Sequence, residues 1–180
     1  MGDFVAFLDE TGLDDLRQVG GKAANLGHLT GAGLRVPPGF SVKADAFDLF
    51  LESGGLAGSL RETLAELDFT DLESVDSEMA RARRLMEAAA VPAAVRSEVR
   101  EAYRELTREK PGALVAVRSS VGTRDLSASS FPGQMDTYHN VADEDEVVDL
   151  VRRRVIAIDG GRVIRDEQEG QYLREGEATI

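Results

Sequence analysis

The stretch VGGKAANLGHLTGAGLRVPPGF, residues 19–40, sets a lysine directly behind two glycines and then opens an amphipathic run. Ala23, Leu26 and Leu29 recur at three-residue spacing, one face of a helix, and Gly31 and Gly33 stop it. Pro37, Pro38 and Gly39 then make a rigid turn into the strand-like FSV. A helix prefers acids in its first turn, because its N-terminus carries partial positive charge. Lys22 breaks that preference, which points to an anion arriving from outside. Two glycines let a backbone approach a ligand closely, and a helix start offers unpaired N–H donors. Taken alone, a glycine turn carrying a solvent lysine is the simpler alternative. The stretch is not a phosphate loop of the G-x-x-x-x-G-K-[ST] type: Leu16 stands where that pattern has its first glycine, and Ala23 follows the lysine.

Outward from this stretch the pattern is mixed. FVAFL, residues 4–8, reads as a short strand, and residues 44–53 as a second helix. Residues 56–109 are mostly helical in pattern, with SEMARARRLMEAAA (77–90) and PAAVRSEVREAYRELTR (92–108) alternating charge with apolar stripes. Their charges are a solvated helix face, and Pro92 suits a first helical position. The period changes at ALVAV, residues 113–117, an apolar run that predicts a buried strand. A long polar loop follows over 118–134, then the alternating MDTYHNV, 135–141. DEDEVVDLVRRR, 143–154, is acidic at its start and basic at its end, the order a helix dipole favours. VIAIDGGRVIRDE holds two apolar runs around Asp159-Gly160-Gly161, a hairpin signal, and the final EGQYLREGEATI is polar and expected to fray. No repeat of 20–50 residues is present.

The totals narrow the function classes. With 180 residues, 42% of them hydrophobic, the chain suits one domain or slightly more, with a real core. It has no cysteine, which excludes disulfides and thiolate metal sites and fits a reducing cytoplasm. A formal charge of −12 repels nucleic acid and anionic lipid. An anion must therefore be held locally, by clustered cations and N–H groups. The N-terminus carries no signal-peptide pattern, and no apolar run is long enough to span a membrane.

Three further features bear on chemistry. Arg118 follows an apolar strand in VAVRSS, 115–120, a platform that holds a guanidinium with little entropy left to lose. Its planar fork suits phosphate oxygens, and an ion pair with one of the many acids is an equal reading. The loop 121–134 has the length of a functional lid. At its end Gly133 permits close backbone approach, and Thr137 offers a hydroxyl. His28 and His139 have no metal-ligand spacing with a partner and read as surface or packing residues. No catalytic residue is assigned.

Taken together, GGKAANLGHLTGAGLRVPPGFSV and VAVRSS…DLSASSFPGQMDTYHNV resemble the N-terminal nucleotide-binding region of the phosphoenolpyruvate synthase and pyruvate phosphate dikinase family, shared by rifampicin phosphotransferases. The resemblance covers roughly residues 3–153. It implies an α+β fold: the first lobe of an ATP-grasp domain, helix-rich with a small, mainly antiparallel sheet. It also implies that Lys22 and Arg118 contact ATP phosphates, and that Gly133, Thr137 and Tyr138 line the nucleotide site. Two departures leave the phosphoryl acceptor open. Arg124 stands where the synthase loop has an acid, and FPGQMDT lies between the synthase and dikinase forms of that motif.

The resemblance further implies ATP and Mg²⁺ as cofactors, with the metal ligands on a second ATP-grasp lobe outside this chain, and a swivelling phosphohistidine domain as the next partner. The expected organisation is a partial ATP-grasp domain over 1–154 and a hairpin tail over 155–180. RRRVIAIDGGRVIRDEQEGQY in that tail resembles the terminal hairpin of ABC-transporter ATPases, although the Walker A loop and signature motif of those proteins are absent. The leading expectation is an ATP-binding lobe that does not turn over alone. A non-catalytic nucleotide sensor or relic interaction module is the alternative.

Overall fold

The computed structural model describes residues 2–65, 67–68, 70–118 and 137–152. The expected hairpin tail, the loop 119–134 and Gly133 lie outside the described residues. The elements are β1 (Val5–Phe7), two single 3₁₀ turns (Leu8–Glu10 and Leu13–Asp15), α1 (Leu16–Gly31) and β2 (Phe40–Val42). There follow α2 (Ala44–Ser53), α3 (Leu56–Ala65), α4 (Leu72–Ala88), α5 (Ala93–Thr107), β3 (Val115–Arg118), β4 (Thr137–Val141) and α6 (Glu144–Arg152). The architecture is α+β and helix-rich, with two small antiparallel ribbons, β1–β2 and β3–β4, as the resemblance implies.

The β1–β2 ribbon is the centre of a layered packing. Val5 pairs with Val42, Ala6 with Ser41 and Phe7 with Phe40, so alternate residues serve opposite faces. On one face Ala6 packs with Val19, Ala23 and Ala24 of α1. The Ser41 hydroxyl seals this side by donating to the Val19 carbonyl at 3.1 Å. On the other face Val5, Phe7, Phe40 and Val42 meet the largest core cluster, built on Val95, Val99 and Ala102 of α5 and Val147 and Val148 of α6. Glu98 of α5 ties the layers together, accepting from the N–H groups of Phe4 at 3.0 Å and Val5 at 3.2 Å. A second apolar cluster joins α2, α3 and α4 through Phe50, Leu56, Leu60, Ala82 and Met86.

The helix ends follow local rules. Asp71 caps α4 by accepting from the N–H groups of Glu73 and Ser74. Asp143 does the same for α6 through Asp145 and Glu146. Arg104 grips Glu144 of α6 with two hydrogen bonds of 2.7 and 2.6 Å, and Arg100 bonds Asp145, which docks α6 on α5. Pro92 is the cap residue preceding α5 and not its first helical residue, at φ −52° and ψ 140°.

Two expectations are revised. ALVAV is not a fully buried strand: β3 alternates half-buried and exposed residues, and Leu114 is 59% exposed. Among the described residues β3 pairs only with β4, so one face of the ribbon packs on the core and the other is left open. The Lys22 helix also begins earlier than its apolar spacing suggests, at Leu16, but it is broken at Gly20.

Candidate functional site

Gly20 has φ 77° and ψ 163°, a conformation open essentially to glycine alone, and it splits α1 into two helical pieces. The chain restarts its helix at Gly21, so Lys22 stands in a first turn even though it lies well inside the Leu16–Gly31 span. The kink falls where Val19 and Gly20 are buried, with Val19 packed beside Ala6 of β1, and Lys22 two residues on is exposed. Gly20→Ala is expected to cost about 1–3 kcal/mol for the strained backbone. Chemical denaturation checks this. A variant as stable as the parent would show that the kink is not required.

Lys22 opens on a cavity of about 670 Å³, within the range that holds a small ligand. One wall comes from α1 (Lys22, Leu26) and the Pro37-Pro38-Gly39 turn. Another comes from α2 and α5 (Phe47, Leu106), and the last from the β3–β4 ribbon (Val117, Arg118, Tyr138). The interior is mostly apolar, and among the described residues Lys22 and Arg118 are the only charged ones that line it. Lys22 and Arg118, 96 positions apart in the chain (118 − 22), both line it.

The cations are close enough to feel each other. Partial desolvation lowers the Lys22 ammonium from the ordinary lysine range, and the positive charge of Arg118 lowers it further. A polyanion between them would relieve that repulsion and hold Lys22 charged. The folded pKa lies below the unfolded one, so over the interval between them the unfolded chain holds more protons and stability rises with pH. Anion affinity runs the other way: it should fall as pH rises through the depressed lysine range, earlier than for an ordinary lysine. Calorimetric titration of tripolyphosphate at increasing pH checks this, and Lys22→Met should flatten the dependence.

The remaining expected site residues divide. Tyr138 lines the cavity, and Thr137 is the cross-strand partner of Arg118 without lining it. Gly133 is outside the described residues. His28 and His139 are both exposed. Sequence reasoning missed most of the cavity wall. Phe47 and Leu106 sit on ordinary apolar helix stripes, and nothing in their spacing separates a residue facing a cavity from one facing a core. It also missed Tyr103, which lines the cavity and whose phenol is pushed up by burial and by Asp143, Glu144 and Glu146, keeping it a hydroxyl donor. Among the described residues no group of three or more His, Asp or Glu side chains is placed to hold a metal ion. Among the described residues no helix is long and apolar enough to cross a membrane.

Comparison with known proteins gives the family. Residues 16–159 match the family described as pyruvate phosphate dikinase, AMP/ATP-binding domain. The probable phosphoenolpyruvate synthase of Staphylothermus marinus is 43% identical over 154 residues, covering 83% of this chain and 18% of that protein. The one from Methanothermobacter thermautotrophicus is 37% identical, covering 96% of this chain and 25% of its own length. The phosphoenolpyruvate synthase of Pseudomonas aeruginosa is 36% identical, covering 91% and 21%. The chain thus spans a quarter or less of the length of these relatives. With 144 residues matched (159 − 16 + 1) out of 180, the chain belongs to the pyruvate phosphate dikinase AMP/ATP-binding domain family.

Proposed function

We propose that this chain is the ATP-binding lobe of a phosphoenolpyruvate synthase-type phosphotransferase, acting in the cytoplasm, and that it does not turn over by itself. The observation that carries this reading is the convergence of Lys22 and Arg118 on one largely apolar cavity. The nucleoside lies in the apolar part, and the phosphates lie between the ammonium, the guanidinium and the N–H groups at the restart of α1. The work of these groups is positioning and charge stabilisation, which is most of what a protein contributes to phosphoryl transfer. Mg²⁺, when bound, supplies further neutralisation of the phosphates. Its ligands belong to the second ATP-grasp lobe, and a phosphohistidine domain carries the phosphoryl group to an acceptor such as pyruvate. Residues 1–154 form the lobe and 155–180 a separate tail.

Titration with ATP while following thermal unfolding tests this. Binding to the folded chain raises its stability by about 2.7 kcal/mol at a ligand concentration of one hundred times Kd. A shift with ATP that is lost in Lys22→Ala and Arg118→Ala supports the lobe. Submicromolar binding by the chain alone, with no gain on adding the missing lobe, would favour a nucleotide sensor. No shift at millimolar ATP, even with that lobe present, would end the nucleotide reading.

A further inference from the structure

The β3–β4 ribbon is irregular at one place. Val115 pairs with Val141 and Val117 with Tyr138, so two steps along β3 face three steps along β4. The extra residue makes a β-bulge at His139 and Asn140. Asn140 has φ 61° and is the only non-glycine residue with positive φ among the described residues. Asparagine tolerates the left-handed region far better than a β-branched side chain does.

The bulge decides which way a ring points. In a regular strand, residues three apart face opposite sides. Here His139 and Asn140 are both exposed, whereas Tyr138 and Val141, three apart, both pack on the main core cluster. Tyr138 therefore lines the cavity, opposite Val117 and next in line to the Arg118–Thr137 pair. Without the extra residue, keeping Val141 in the core would send Tyr138 to the open face.

We propose that Asn140 is a positioning residue whose left-handed backbone turns the Tyr138 ring into the cavity as an aromatic wall for the nucleoside part of the ligand. The proposal rests on the nucleotide reading above. It adds a division of labour: Lys22 and Arg118 hold the phosphates, and the bulge sets the surface against which the nucleoside packs. An aromatic face attracts a base irrespective of its hydrogen-bonding edge.

The test compares ATP with inorganic tripolyphosphate, which has phosphates and no nucleoside. Calorimetric titration is run on the full chain and on Asn140→Gly, Asn140→Val and Tyr138→Leu. Asn140→Gly keeps the left-handed position and is expected to bind ATP as the parent does. Asn140→Val, which resists that position, and Tyr138→Leu, which leaves the backbone alone, are each expected to lose about tenfold for ATP and nothing for tripolyphosphate. Parental ATP affinity in Asn140→Val overturns the proposal. So does an equal loss for both ligands, which would mark a merely structural role. If Asn140→Val does not fold, Tyr138→Leu decides: unchanged ATP affinity overturns the wall. A parent that binds tripolyphosphate as tightly as ATP overturns the wall and leaves the phosphate site standing. A parent that binds neither overturns both.

Discussion

Arg118→Ala and Lys22→Ala should each weaken ATP binding by about tenfold to a hundredfold. Charge-assisted hydrogen bonds to an anion contribute about 1.5–3 kcal/mol, and each 1.4 kcal/mol is a factor of ten. In a complete phosphotransferase the same changes should remove about 2–4 kcal/mol of transition-state stabilisation, the loss expected for one preorganised donor. The reason lies in the site's electrostatics. The protein as a whole has a formal charge of −12 and repels a polyphosphate. Among the described residues lining the cavity, the cations are one from α1 and one from the end of β3, and their charges would offset that field locally. Arg17, exposed on α1 and outside the cavity lining, is the control, and Arg17→Ala should leave affinity unchanged. Calorimetry on the isolated chain and kcat/KM on a completed enzyme read the two quantities. Parental affinity in both alanine variants would remove Lys22 and Arg118 from the phosphate site.

The second large effect concerns stability. Gly27 lies on the buried side of α1, where the helix touches the backbone of the 3₁₀ turn at Leu8–Glu10. A Cβ at this position would stand 2.6 Å from the Leu8 carbonyl oxygen and would also meet the carbonyl and hydroxyl oxygens of Thr11. Two of those three atoms belong to the main chain and cannot rotate away. Overpacking of this kind costs about 1–3 kcal/mol and occasionally more, against a gain of roughly 1 kcal/mol for alanine over glycine in a helix. The expected net result for Gly27→Ala is a loss of up to about 2 kcal/mol, or a Tm lower by up to roughly 4–8 °C for a chain of this size. Gly58→Ala is the contrast: nothing lies within 4 Å of its Cβ, so the helix α3 should gain up to about 1 kcal/mol. Thermal unfolding of the two variants side by side separates close approach from helix propensity. Equal and opposite outcomes to those expected would place α1 away from the Leu8 turn.

Much of the fold was legible because its elements are specified locally. The second helix at 44–53 was readable from its apolar spacing and falls on α2. The arrest of α1 was readable too: Gly33 takes φ 78°, its N–H bonds the Thr30 carbonyl, and the Leu34 N–H bonds the Leu29 carbonyl. The acidic start of α6 marks a real cap, with Asp143 holding two N–H groups. The exposure of ALVAV was not legible. An apolar run reports that a strand has an apolar face, but the number of neighbours that cover it is a tertiary matter.

The site divides along the same line. The residue types with the chemistry to meet a phosphate, Lys22 behind two glycines and Arg118 at a strand end, stand in the sequence, because charge, donor geometry and glycine's freedom belong to single residues and their neighbours. Their meeting did not. Lys22 and Arg118 come from segments that never touch along the chain, and only the packing of α1 and the β3–β4 ribbon around one cavity brings their charges together. The direction of Tyr138 was likewise hidden, since one extra residue in β4 reverses a strand's facing without changing its composition. Local sequence determines what each residue can do. Long-range packing determines which residues do it together, because the electrostatic and dispersion forces that make a site act across space and not along the chain.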